Sequence, residues 1–232
     1  KKSSHCTRHR SCLHKKNVYW QPSSLIQLGI FISGFENFKS LCVVRICGGA
    51  AKGIPLQIPK GIEIRPATEA NRERLFSSLG ERVTGTHFLD LFAGTGAYGL
   101  EALSRGAQQG EFVENHRKAV NSLRKNLGNV CKSAQMDPSH FSVNNRDVNE
   151  YLKSKVASFD FIFLDPPYPI FPEIGPMIFE IILKNKIIKD DGLLIHEAPP
   201  ESRSDFDGWE VVRIIGKSKR GCPSFKLFKL KA

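Results

Sequence analysis

Four acids, a glycine-rich turn and an Asp-Pro-Pro-Tyr run are the residues whose types and spacing could do chemistry in this sequence. Leu89-Asp90-Leu91-Phe92-Ala93-Gly94-Thr95-Gly96-Ala97-Tyr98-Gly99 sets a glycine turn between an apolar run and a helical one. Glycine permits a tight turn and close approach of a ligand to the backbone, and a helix start offers unpaired N–H groups. Gly94 to Gly99 has the G-x-G-x-x-G spacing of a dinucleotide site, and Glu114 stands where such a site keeps its ribose-binding acid. A nicotinamide enzyme is therefore one reading. Asp90 favours another, because a carboxylate at this strand end repels a pyrophosphate and attracts the ammonium group of S-adenosylmethionine.

Asp165-Pro166-Pro167-Tyr168 follows the apolar run Phe159–Leu164. The exocyclic amine of adenine or guanine is a poor nucleophile, since its lone pair is delocalised into the ring. Two acceptors that hold both amine hydrogens favour a pyramidal nitrogen and direct the lone pair at a sulfonium methyl. Asp165 and the carbonyl of Pro166 can supply those acceptors, and consecutive prolines stiffen the loop. Tyr168 offers a flat face for an extruded base, a contact worth roughly 1–3 kcal/mol in single-strand recognition. Taken singly, each motif has a bland alternative: Glu114 and Asp147 as helix caps, Asp-Pro-Pro as a turn that stops a strand.

The elements that must position these groups alternate strand and helix. Strands are predicted at His87–Phe92, Gly110–Glu114, His140–Val143, Phe159–Leu164 and Leu193–His196, with helices at Tyr98–Ser104, Arg117–Val130, Val148–Lys153 and Glu173–Lys184. Repeated β-α units predict an α/β fold with a mostly parallel sheet, whose carboxyl-end loops bring Asp90, Glu114, Asp147 and Asp165 to one crevice. Trp209–Ile215 and Ser224–Lys231 have no helix between them and are expected to close the sheet as an antiparallel hairpin. Ahead of the core, Val43–Ile46 and Ile54–Ile58 read as a small hairpin, and Thr68 as the cap of a helix over Glu69–Leu79. The expected division is an extension at 1–42, a hairpin and helix lobe at 43–80, and the core at 81–232.

The chain of 232 residues carries 34 Lys and Arg against 23 Asp and Glu, a net +11 that suits a polyanionic partner. Residues 1–44 hold seven of the bases and one acid, so this Ser- and His-rich stretch is expected to be a disordered basic tail; organelle targeting to plastid or mitochondrion is the alternative to a cytoplasmic location. His5, Cys6, His9, Cys12 and His14 match no common zinc spacing, so no metal is expected. Scattered cysteines suit reduced thiols, and no apolar run is long enough to span a membrane.

These motifs together resemble the bacterial RsmD family of 16S ribosomal RNA guanine-N2 methyltransferases, in the class I methyltransferase superfamily. The likeness begins at Arg45-Ile46-Cys47-Gly48-Gly49 and continues through Lys52-Gly53, Ile64–Thr68, Arg72–Phe76, Leu89–Gly106, Phe112-Val113-Glu114 and Asp165–Tyr168. It implies a Rossmann-like, seven-stranded sheet and methyl transfer from S-adenosylmethionine to a guanine of small-subunit ribosomal RNA, free or in its particle, by a monomer. By the resemblance, Asp90, Gly94 and Gly96 surround the methionine part, Glu114 the ribose hydroxyls and Asp147 the adenine amino group, with Thr68 near the cofactor carboxylate; Phe92 and Asn115, the latter a departure from the family pattern, are further cofactor-binding candidates. Asp165, Pro166 and Tyr168 carry the chemistry. Phosphate contacts are expected from Arg45, Lys52, Lys60, Arg65, Lys217, Lys219 and Arg220. Adenine-N6 methylation of RNA or DNA and a non-catalytic RNA-binding module remain the alternatives.

Overall fold

A computed structural model describes residues 44–59, 69–155, 157–199, 202–216 and 223–231. The basic tail, Thr68, Lys60, Arg65, Lys217, Lys219 and Arg220 lie outside the described residues. Seven strands form one sheet: β1 (His87–Leu91), β2 (Gln109–Val113), β3 (Phe141–Asn144), β4 (Phe159–Leu164), β5 (Ile188–Ala198), β6 (Trp209–Ile215) and β7 (Ser224–Leu230), in the order β3-β2-β1-β4-β5-β7-β6. The first five run parallel, whereas β7 pairs antiparallel with both β5 and β6. The helices are α1 (Glu69–Leu79), α2 (Ala97–Ser104), α3 (Arg117–Ala134), α4 (Val148–Ser154) and α5 (Phe171–Lys184).

Side-chain alternation along the strands builds two cores, one on each face. Phe88, Phe161, Phe163 and Ile195 point to a cluster shared with α1, α2 and α3, while Leu89, Leu91, Ile162 and Leu164 point to one shared with α4 and α5. Strands apolar on both faces are the mark of a parallel sheet covered by helices.

Two element boundaries differ from the sequence expectation by more than two residues. β5 begins at Ile188, five residues before Leu193, because Lys189, Asp190 and Asp191 are exposed and polar yet still lie in the strand; Lys189 pairs with Asp160 at 2.8 Å across an irregular register. α3 runs on to Ala134, four residues beyond the expected end at Val130, with Cys131 buried and Lys132 and Ser133 exposed in its last turn.

The expected hairpin is reduced to a single antiparallel bridge, Arg45 to Pro55, with flanking backbone bonds such as Leu56 N–H to Val44 O. This segment is pinned to α2: Cys47 N–H donates to Glu101 Oε2 at 2.8 Å and Ser104 Oγ donates to the Gly48 carbonyl at 2.6 Å. Gly49 has φ +77°, and a Cβ there would stand 1.8 Å from the Ser104 carbonyl oxygen, so only glycine fits. Arg72 of α1 and Glu101 of α2 are fully buried, and Arg72 donates from Nη2 to the Arg45 carbonyl at 2.5 Å.

Candidate active site

The glycine turn leaves β1 with its backbone in unusual regions. Phe92 has φ 58°, left-handed although its side chain is bulky, and packs into the cluster beneath α5. Gly94 and Gly96 follow at φ 56° and 87°. Gly96 caps α2, and a Cβ on it would meet Leu123 Cδ1 of α3 at 2.2 Å, so close helix packing demands this glycine. Gly96 has no side chain to cap α2 and the first turn has no acid, while the Gly99 N–H is taken by Asp90 from β1. The N–H groups that remain at this helix start, with the helix dipole, suit an anionic group such as the cofactor carboxylate.

The expected cofactor acids are each tied to backbone amides. Asp90, 1% exposed, accepts from Gly99 N–H at 2.9 Å through Oδ2; burial, aided by the charge of Glu114 and opposed by that bond, pushes its carboxyl up to about 7. Asp90 thus also supports the turn from beneath. Glu114, half-buried, accepts from Gly94 N–H at 2.9 Å and from His116 N–H at 2.7 Å, which draws the turn onto the end of β2. Asp147, exposed, caps α4 by accepting from Asn149 and Glu150 N–H. Asn115 is exposed beside Glu114, and Asn145 Nδ2 donates to both their carbonyls at 3.0 and 2.9 Å. Asn145 was not singled out in the sequence, since an asparagine clasping a neighbouring loop has no local pattern.

At the end of β4, Asp165 and Tyr168 are half-buried and Pro166 is buried. Asp165 lines a small cleft with Tyr98, Phe163, Leu164, Ile195, Glu197 and Phe225. Tyr98 stands two residues after Gly96, so the cleft joins the glycine-turn helix to the Asp-Pro-Pro-Tyr loop. The Tyr98 hydroxyl donates to Glu197 Oε2, its ring stacks on Phe163 at 5.9 Å, and Glu197 Oε1 also accepts from Asn71 Nδ2 at 3.4 Å. Burial, with the charges of Asp165 and Glu197, raises the Tyr98 hydroxyl well above its ordinary value and keeps it protonated.

Next to Glu197, His196 is fully buried and stacked on Phe171 at 4.0 Å. Its Nδ1 lies 3.0 Å from the Leu164 carbonyl, so Nδ1 carries the proton, while Nε2 is buried without a partner. Burial, reinforced by Lys226 and opposed by that carbonyl, lowers the imidazole to about 4. Tyr98, His196 and Glu197 escaped the sequence reading because nothing local marks a pair made across the sheet.

Of the expected phosphate contacts, Arg45 and Lys52 fall on described residues, and both are exposed. Arg45 spends its backbone N–H on Glu69 and its Nη1 on the Gly53 carbonyl. Lys52 lies on the turn packed against Ser104, at the end of α2 remote from the glycine turn.

Residues 44–227 match the model of a protein family described as conserved hypothetical protein 95. Ribosomal RNA small subunit methyltransferase D of Escherichia coli K12 is 36% identical over 155 residues, 67% of this chain and 71% of that protein. Its namesake in Haemophilus influenzae is 32% identical over 190 residues, 80% of this chain and 93% of that protein. Among solved structures, yhhF from Escherichia coli is 27% identical with a TM-score of 0.69, covering 82% of this chain and 99% of that one. A hypothetical protein from Thermus thermophilus is 28% identical with a TM-score of 0.64, covering 81% and 100%.

Proposed function

This chain belongs to the conserved hypothetical protein 95 family, and from that premise we propose that it methylates the exocyclic N2 amine of a guanine in small-subunit ribosomal RNA, using S-adenosylmethionine. The observation that carries the reading is the cleft shared by Tyr98 and Asp165, which puts the cofactor turn and the Asp-Pro-Pro-Tyr loop side by side.

The uncapped start of α2 fits the cofactor's carboxylate, and the free lone pairs of Glu114 fit two ribose hydroxyls. Asp147 takes the adenine side of the crevice. When bound, S-adenosylmethionine supplies an electrophilic methyl on a sulfonium, which needs no activation by the protein. The work left to this chain is positioning. Asp165 and the Pro166 carbonyl accept from the two amine hydrogens, Tyr168 stacks the base, and the amine proton leaves to solvent or to Asp165. Arg45 and Lys52, with Lys60, Arg65, Lys217, Lys219 and Arg220, contribute phosphate contacts.

Single-turnover transfer to small-subunit ribosomal RNA, followed by nucleoside analysis, tests the reading. N2-methylguanosine is expected, and Asp165→Ala should lose about 10²–10³-fold in rate while still binding S-adenosylhomocysteine. N6-methyladenosine in its place would reject the substrate and keep the mechanism; wild-type turnover by Asp165→Ala would reject the mechanism.

A further inference from the structure

α3 carries Arg117, Lys118, Arg124, Lys125 and Lys132, and no acid along its 18 residues. All five are exposed, together with Asn121 and Gly128. At 100° per residue, Arg117 and Arg124 form one row and Lys118, Lys125 and Lys132 another, with Asn121 and Gly128 between them. The two rows run about 22 Å from Arg117 to Lys132. Elsewhere Lys155, Lys184 and Lys189 pair with Glu111, Glu180 and Asp160, whereas none of the α3 cations makes an ion pair among the described residues.

Folding does not account for this face. Arg117 and Lys118 sit at the positive end of the helix dipole, where cations are unfavourable. Gly128 lies inside the helix, where glycine is the poorest residue after proline, and a Cβ there would meet nothing within 4 Å. Gly49 and Gly96 are demanded by packing; Gly128 is not. A glycine without a packing reason between two rows of unpaired cations leaves room for a phosphate backbone to lie close to the helix.

We propose that the outer face of α3 is a docking surface for RNA, on which the sugar-phosphate backbone of the substrate runs along the Asn121–Gly128 strip away from the crevice. The surface starts three residues after Glu114, so it extends the site outward from the cofactor side. The proposal rests on the reading of the substrate as ribosomal RNA. It gives that RNA a path that the sequence reading did not include.

The test is the dissociation constant for a small-subunit ribosomal RNA transcript against salt, measured without cofactor. Arg124→Gln/Lys125→Gln/Lys132→Gln is compared with Lys153→Gln/Lys186→Gln/Lys231→Gln, which removes the same net charge from exposed lysines off the face. The first triple should bind at least 10-fold more weakly and flatten the log–log salt slope by about 2, and the second should stay within about 2-fold. Gly128→Gln should melt no lower than wild type yet bind RNA several-fold more weakly, a combination that a purely structural glycine does not produce. Equal affinities and slopes for the two triples, or wild-type affinity in Gly128→Gln, would overturn the surface. Loss of binding to phosphatidylserine vesicles by the first triple, with RNA affinity kept, would also overturn it and assign the face to a membrane. An absence of methyl transfer to this RNA by the wild type, with the binding pattern intact, would instead reject the proposed function.

Discussion

The two halves of the crevice hold their polar groups in different ways. On the cofactor side, Asp90, Glu114 and Asp147 each accept from backbone N–H groups, and every partner lies within 20 residues in sequence. On the acceptor side, Glu197 is held by side chains, the Tyr98 hydroxyl and the Asn71 amide, 99 and 126 residues away. His196 there has one ring nitrogen on a carbonyl and the other on nothing. A carboxylate fixed by amides tolerates changes in neighbouring side chains. One fixed by two distant side chains depends on both residues.

The largest effect expected from this contrast is in pH. Folded Asp90 keeps its proton to about pH 7, whereas the unfolded chain loses it near 3.8, so the folded state holds more protons in between. Its contribution to stability therefore falls by about 4 kcal/mol as pH rises from about 4 to 7, then levels. His196 works in the opposite sense. It is neutral above about 4 when folded and above 6.5 when unfolded, so its contribution grows by about 3 kcal/mol as pH rises through that window. Urea titrations from pH 4 to 7 should show Asp90→Asn gaining on wild type as pH rises and His196→Gln losing ground. Parallel curves for all three proteins would mean that neither group is titrating as described.

How much could be read without coordinates follows the same division. Asp147 stands two residues before Asn149, and the glycine turn is a continuous run, so local spacing sufficed to place them. The strand and helix order was equally legible, because β1 and β4 are largely apolar on both faces and polar helical runs separate the strands. Tyr98–Glu197 was invisible, since only the β4–β5 and β5–β7 pairings bring the end of β5 beside α2. The basic face of α3 was present in the sequence, but its two rows separate only when residues are placed around a helix of known extent, and the apolar pattern had ended that helix at Val130.

A smaller effect sharpens the acceptor side. Tyr98→Phe removes the hydroxyl from a buried carboxylate and should cost about 1–3 kcal/mol in thermal or chemical unfolding. Glu197→Gln combined with it should cost less than the two changes summed, because the amide no longer needs a charge partner. Strict additivity would show the pair to be uncoupled. Smallest is the cap: Asp147→Ala should cost about 1 kcal/mol and leave the acceptor half untouched. A loss of cofactor affinity beyond that would show that Asp147 faces the ligand as well as the helix.

The place of β7 between β5 and β6 has a consequence for synthesis. A chain made from its amino end produces β6 before the strand that joins it to the sheet, so β6 has no partner when it leaves the ribosome. Until β7 follows, the edge of β5 is open, and Val212 and Ile214 of β6 are apolar and unpaired. The nascent protein is thus most prone to aggregate while β6 is made and β7 is not. The sheet closes only once β7 has been made, so its completion waits on the last of its seven strands.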